Sequence, residues 1–402
     1  MGLFDFLTGG SRREKFARQV MEGLRRGGAP FELGYDKAEF AILFDAGGRF
    51  GLQNAFRSWE QAPPSQRDAE LEKVIQFGLE VMTPPDNTWE TVAPLILPAV
   101  RNRSHMTNEW VGYADLEPRN SYAGAVRTLG DSYQIAIVID RQASVQVATT
   151  DVFKNWGKPF DEVERIALDN LRARSACRFT RAEGGFFISD YGDFHDSARL
   201  LLPHLFEALH LTGDPVVIPL SRNCLLVAGA DDPAALEAMA HYHEAAFQAD
   251  ARPTGIEALL LRDGRWQTAG NEVSPVLGRL RFEQRSWDYA EQKGALEAYF
   301  KKVSRDAFVP GRMVFELETT GELLSWASWT QGVPSLLPEA DLIGLTSDDL
   351  SETLTRSWDD VVDICGPGEP EACLFPPRWF RETGPTAEQW EQLRARADPT
   401  SR

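Results

Sequence analysis

Between Gly185 and Leu261 apolar β-like runs alternate with stretches of helical spacing, and this alternation constrains the fold more than any other feature of the chain. The order is strand (185–189), acidic turn, helix (about 197–210), strand (216–219), strand (224–227), helix (233–247) and strand (256–261). A strand buries one face and an amphipathic helix one stripe, so elements in this order satisfy one another as a layered sheet with helices packed on it. The pair Asp263-Gly264 then predicts a tight turn after Leu261-Arg262.

Upstream, Phe16, Val20, Met21 and Leu24 recur at helical spacing and Gly27-Gly28 ends the run, which predicts a helix over 12–26. Short β-like runs follow at 40–44 and 50–52. A second helix then carries Leu71, Val74, Ile75, Leu79 and Met82 on one face before Pro84-Pro85. Three β-rich runs between 121 and 148, the clearest being 135–139, predict an antiparallel meander. Val163, Ile166, Ala167 and Leu171 predict a helix over 161–174, with acids in its first turn and arginines at its end as the macrodipole favours. The polar stretch 269–275, with Gly270 and Pro275, reads as a boundary. Beyond it come a helix around 288–303, a hairpin over 312–329 turning at Gly321, a strand near 342–345 and two more helices. The expectation is an α+β protein with a mixed, largely antiparallel sheet covered by helices and a second, smaller α+β domain at the C-terminus. The domains would be 1–268, with a subdivision left open near 110, and an acidic, tryptophan-containing 269–402.

Composition excludes several function classes. Sixty acidic against forty-two basic side chains leave a net charge of -18, so the long-range field repels nucleic-acid phosphates and anionic lipid head groups. No apolar run approaches the ~20 residues needed to cross a bilayer. Leu3, Phe4, Phe6 and Leu7 could insert at a membrane interface, but no basic residue precedes Arg12, and Phe6 stands where a myristoylation signal has Ser or Thr. Cys177, Cys224, Cys365 and Cys373 form no C-x-x-C pair and no metal-ligand spacing with histidine, so reduced thiols and a cytoplasmic location are expected. Cys224, within the apolar run 224–227, reads as a small core residue. No cofactor motif stands out.

The succession Leu95-Ile96-Leu97-Pro98-Ala99-Val100-Arg101, Val152 to Trp156, Ala167-Leu168-Asp169-Asn170-Leu171, Asp196-Ser197-Ala198-Arg199-Leu200-Leu201 and Ile218-Pro219 leading to Leu225-Leu226-Val227 resembles the YtpQ-like family of bacterial proteins, a domain of unknown function numbered 1444. The resemblance covers roughly residues 12–265. It implies a cytoplasmic bacterial α+β protein and no named activity. The family pattern Asp-Ala-Ser-Arg is replaced by Asp196-Ser197-Ala198-Arg199, and Asn223 stands where the family tends toward an aspartate. Chemistry resting on that aspartate would be missing here. Residues 270–402 lie outside the resemblance.

The densest polar cluster is Asp190-Tyr191-Gly192-Asp193-Phe194-His195-Asp196, at a strand-to-helix junction where ligands commonly sit in α/β units. Asp190, Asp193 and Asp196 could hold a divalent cation, or His195 beside Asp196 could act as a general base. Alternatively, Asp193 is a helix N-cap and Asp196 its capping-box partner. Arg199, together with Arg222 and Asn223 in the turn after Pro219, could lock the junction or bind an anion there. Glu237, His241 and Glu244 share one helix face, which reads as a solvated face rather than a metal site.

A second feature lies near the C-terminus, where 339–371 contains ten carboxylates and one basic residue, Arg356. Trp326 and Trp329 are an odd number of positions apart, so on a strand one would pack inward and the other outward. Exposed aromatics beside an acidic surface suit a protein-binding patch, with Trp326, Trp329, Asp348, Asp349, Asp359 and Asp360 as its candidate residues. No nucleophile constellation is visible. The expected function is therefore a non-catalytic protein-binding or adaptor module with a basic partner, for which inhibition of a basic toxin is one form. The alternative is a metal- or small-ligand-binding enzyme or sensor using the junction Asp190 to Asp196.

Overall fold

The structure is a computed structural model that describes residues 3–44, 48–82, 86–108, 122, 124–141, 144–249, 253–317 and 321–399, with the backbone alone for 3–11 and 244–249. Pro84-Pro85 and the side chains of Leu3, Phe4, Phe6, Leu7 and Glu244 lie outside the described residues. The chain forms two compact units. One comprises 1–97, 138–148 and 154–157, and the other 98–137, 149–153 and 158–402. It is an α+β fold with mostly antiparallel sheets. Among the described residues no helix is long and apolar enough to cross a membrane.

In the first unit the helix Leu3–Arg26 packs with the helices Gln53–Gln61 and Arg67–Met82 around the antiparallel strands Leu33–Asp36, Ala41–Phe44 and Gly48–Gly51. Phe16, Val20 and Leu24, one helical stripe, are fully buried with Ile42, Leu52 and Ile75. Glycine is what lets the two long helices close: a Cβ at Gly23 would stand 2.2 Å from the Ile75 side chain, and one at Gly78 2.7 Å from that of Leu24.

The second unit is built on six antiparallel strands in the order Arg265–Thr268, Leu259–Arg262, Pro215–Ser221, Cys224–Gly229, Phe187–Ser189, Phe179–Arg181. Period-two alternation gives the sheet two apolar faces. Val216, Ile218, Leu226 and Ala228 meet Leu236 and Met239 of the helix Pro233–Ala249. Val217, Leu225 and Val227 meet Val100, Tyr133, Leu200 and Phe206. The expected Asp263-Gly264 turn is present, with φ of 52 and 72 at its two residues and Arg262 opposite Arg265. The β-rich runs over 121–148 are strands, Val126–Leu129, Tyr133–Asp140 and Val145–Val147, the last two reaching into 138–148 of the first unit. They do not form the expected meander: Ile96–Asn102 occupies one edge of Tyr133–Asp140, and the two other strands both pair antiparallel with Tyr133–Asp140.

Two helices differ from expectation. The single helix over 197–210 is a 3-10 turn, Ser197–Leu201, followed by a four-residue helix, His204–Glu207, because Pro203 between them has no N–H to continue the ladder. The 269–275 stretch lies within the second unit and leads directly into the next helix. The helix expected from 288 begins at Pro275, runs 29 residues to Val303 and ties both ends of that unit together. Its buried face carries Gln284, Asp288 and Gln292, spaced one turn apart and all 0% exposed. Gln284 accepts from the Ile256 N–H (2.7 Å) and donates to Asp288, Asn102 also donates to Asp288 (3.1 Å), and Gln292 donates to the Pro376 carbonyl (2.8 Å). Polar residues on the inward stripe blur the apolar periodicity by which a helix is read.

Past that helix, the strands Met313–Glu316, Leu323–Thr330, Leu342–Thr346 and Thr353–Ser357 form a four-stranded sheet in which the central pair is parallel. Val361 of the helix Trp358–Cys365 and Trp390 and Leu393 of the helix Ala387–Ala395 cover one face of it. The short strands Ser335–Pro338, Glu369–Pro370 and Arg378–Arg381 make a separate three-stranded sheet.

Candidate functional site

The acidic junction after Phe187–Ser189 closes on itself. Arg199, 0% exposed, donates two parallel hydrogen bonds to Asp193 (2.9 and 2.7 Å) and a third to the Ser175 hydroxyl (3.0 Å), with its guanidinium 3.5 Å from the centre of the Tyr191 ring. Asp193 also accepts from the His195 N–H (3.1 Å), a local turn that holds Phe194 at φ 63. Burial pushes the Asp193 carboxyl up, but the Arg199 bonds and charge outweigh it and leave the group below the ordinary range. Asp196 is fully buried, accepts from the Tyr191 N–H (3.1 Å), and is pushed above the ordinary range by desolvation.

The capping-box expectation is corrected: Asp196, not Asp193, occupies the N-cap position, and its side chain makes no cap bond. Arg222 is drawn to the junction by its backbone, whose carbonyl accepts from the Asp196 N–H (2.9 Å), while the Asn223 N–H turns back to the Ser221 hydroxyl (3.2 Å). Asp190 keeps its side chain exposed and donates its N–H to the Arg178 carbonyl. The three aspartates thus have three different surroundings, and among the described residues no group of three or more acidic, histidine or cysteine side chains is placed to hold a metal. Glu237 and His241 lie on a solvated helix face, their side chains 55% and 75% exposed.

The candidate partner patch is dispersed. Trp329 is buried beneath the Arg381 guanidinium (4.6 Å), while Trp326, half-buried, lies over Gly344 on the neighbouring strand. Asp348 and Asp349 sit in an exposed turn, and hydrogen bonds from Ser347 and Ser351 hold Asp349 down to about 2. Much of the acidic run is neutralised by arginines of the chain itself: Glu352 by Arg394, Asp360 and Asp363 by Arg396, and Glu371 by Arg305. Arg356 is buried and donates to the carbonyls of Leu393 and Arg394, which fastens the last helix.

What the sequence did not reveal is a cavity of about 510 Å³ in the second unit, between the long helix Pro275–Val303 and the edge of the C-terminal sheet. The first turns of the helix form one end, where Gly278 leaves room for the Asn271 amide; a Cβ there would stand 1.8 Å from the Asn271 oxygen. Its lining includes Arg281, Arg285 and Arg312 and, of opposite sign, Glu339, Asp341 and Asp359. Arg281 is ion-paired outward to Asp131 (2.6 Å). Arg285 stacks over Phe375 (5.1 Å), and Arg312 stacks over Phe282 (4.4 Å) and donates to the Ser286 hydroxyl. Among the described residues neither Arg285 nor Arg312 makes an ion pair, and the buried Nε of Arg312 has no hydrogen-bond partner. Burial lowers the Arg312 guanidinium from its ordinary value while Asp341 and Glu339 act at a distance to raise it and the like charge of Arg285 lowers it.

Asp341 is oriented by Ser325, whose N–H and hydroxyl both donate to it (2.7 and 2.5 Å). The Ser357 hydroxyl caps the next helix by accepting from the Asp360 N–H (3.1 Å). Phe282, Tyr289 and Trp358 also line the cavity, and no histidine or cysteine lies among its lining residues. A space of this size with a few convergent polar groups is suited to binding. The signal in the sequence was weak, since Arg285 and Arg312 come from different elements and only the fold brings them together. Compared with known proteins, the chain matches no family model, no curated protein and no solved structure.

Proposed function

We propose that this chain is a non-catalytic, cytoplasmic binding module whose recognition site is the cavity beside the long helix, and that the carboxylates at its rim favour a partner with a basic surface. One observation carries the reading: side chains of both signs line one cavity in which two guanidinium groups are left without ion pairs, whereas at the acidic junction the Arg199 guanidinium is already bound to Asp193. The cavity's hydroxyls also support binding over turnover, because Ser325 serves Asp341 and Ser357 serves a helix cap, with no imidazole beside either. The exposed acids Glu339 and Asp359 steer positive charge toward the opening.

The test is titration of short lysine- and arginine-containing peptides against the protein, followed by calorimetry at low and high salt. Affinity should fall as salt rises and should be weaker for the Glu339→Gln/Asp359→Asn double variant. Equal affinity for the double variant, or no binding by any basic peptide, would remove the reading.

A further inference from the structure

The cavity is lined by side chains of both signs that do not pair with one another: Arg285 and Arg312 form no ion pair with Glu339, Asp341 or Asp359, although all five line the same space of about 510 Å³. Opposite charges that could satisfy each other across a partly buried gap, yet are held apart by stacking on Phe282 and Phe375 and by the Ser325 clamp on Asp341, leave room for a ligand that answers both. A polyanion would meet the carboxylates and a polycation the arginines, so the complementary group carries one charge of each sign.

We propose that the cavity takes the C-terminal lysine or arginine of a basic protein chain, its free α-carboxylate against Arg285 and Arg312 and its side-chain cation against Asp341 and Glu339. This rests on the cavity being the recognition site. The guanidinium groups of Arg285 and Arg312, neither of them ion-paired among the described residues, supply the planar, two-pronged donors that carboxylates prefer. Phe282 and Trp358 in the lining give the methylene stem of such a residue an apolar path between the two ends. The volume accommodates one or two residues, and the net charge of -18 favours approach of a basic chain.

Four fluorescein-labelled hexapeptides of one basic sequence test this by anisotropy: one ending in lysine with a free carboxylate, one ending in lysine amide, one ending in norleucine with a free carboxylate, and one ending in norleucine amide. The free-acid lysine peptide should bind at least about tenfold tighter than either singly changed peptide, as expected for loss of one charge-assisted contact. Arg285→Gln should erase the preference for carboxylate over amide and leave that for lysine over norleucine, and Glu339→Gln should weaken the second preference and leave the first. Unlabelled 6-aminohexanoate should compete, more weakly than the peptide. Equal binding of all four peptides would overturn the chain-end proposal while leaving a basic-partner module standing. Competition by 6-aminohexanoate as strong as by the peptide would overturn it in favour of a small zwitterion. Binding by none of them would remove both readings.

Discussion

The side-chain oxygen of Gln292, in the middle of the long helix, accepts a hydrogen bond from Nε of Arg378, and both side chains are 0% exposed. The same guanidinium donates to the carbonyls of Pro310 (2.9 Å), Leu336 (3.0 Å) and Tyr289 (3.3 Å) and meets no carboxylate. A buried cation solvated by carbonyl dipoles is held by geometry, and burial lowers it from its ordinary value to about 10. Gln292→Leu should therefore cost about 1–3 kcal/mol by leaving a buried charged donor unsatisfied. Arg378→Met should cost about 3–5 kcal/mol, because several buried carbonyls lose their donor at once. Urea unfolding monitored by circular dichroism measures both, and a loss below about 1 kcal/mol for Arg378→Met would show that water replaces the guanidinium.

Asp193→Asn should destabilise the protein by roughly 2–3 kcal/mol. That is less than the ~3–5 kcal/mol of a fully buried pair, because the Asp193 side chain is 38% exposed while that of Arg199 is 0% exposed. Since Asp193 titrates below its unfolded value, its contribution is present above pH ~4 and is lost as pH falls through the lower folded value. Wild type and variant should thus converge in acid. A stability gap that persists below about pH 2 would mean that the pair is not its source.

Asp288 behaves in the opposite sense. Desolvation raises its carboxyl to about 7, against the hydrogen bonds of Asn102 and Gln284 and the charges of Arg285 and His105. A carboxyl raised in the folded state contributes most below its unfolded value near pH ~4 and loses that contribution as pH climbs through 7. Asp288→Asn cannot titrate, so the stability of wild type relative to this variant should decline by about 4 kcal/mol between pH ~4 and pH ~8, at ~1.4 kcal/mol for each pH unit that separates the folded and unfolded titrations. A difference that stays flat over that range would place the proton elsewhere.

Gly344 admits the Trp326 indole, because a Cβ there would stand 2.0 Å from the ring. Gly344→Ala should displace that ring outward, shift its fluorescence to longer wavelength and cost about 1–3 kcal/mol as an overpacked contact. An unchanged emission spectrum, with a Trp326→Phe variant to assign the signal, would show that the strand yields instead.

Sequence anticipates structure here where a local rule decides. The Asp263-Gly264 turn needs only two residues that accept positive φ, and the helix over 161–174 shows as the Phe160–Ala173 helix with Val163, Ala167 and Leu171 buried at the predicted spacing. The long helix from Pro275 escapes such a rule, since its inward stripe is Gln284, Asp288 and Gln292, residues that periodicity assigns to solvent. The site was half legible. Asp193, Asp196 and Arg199 stand out as a cluster, but Arg199 is taken up by Asp193 while Asp196 is buried and accepts from the Tyr191 N–H.

The amino-acid sequence by itself determined the α+β character, the sheet hairpins and the acidic balance, because each follows from near neighbours along the chain or from a sum over it. Only tertiary structure decided which carboxylates stay available. Arg394, Arg396 and Arg305 neutralise Glu352, Asp360, Asp363 and Glu371, while Arg285 and Arg312 come from separate elements to line one cavity without an ion pair. Charge pairing depends on distance in space, and distance in space is what a linear pattern does not carry.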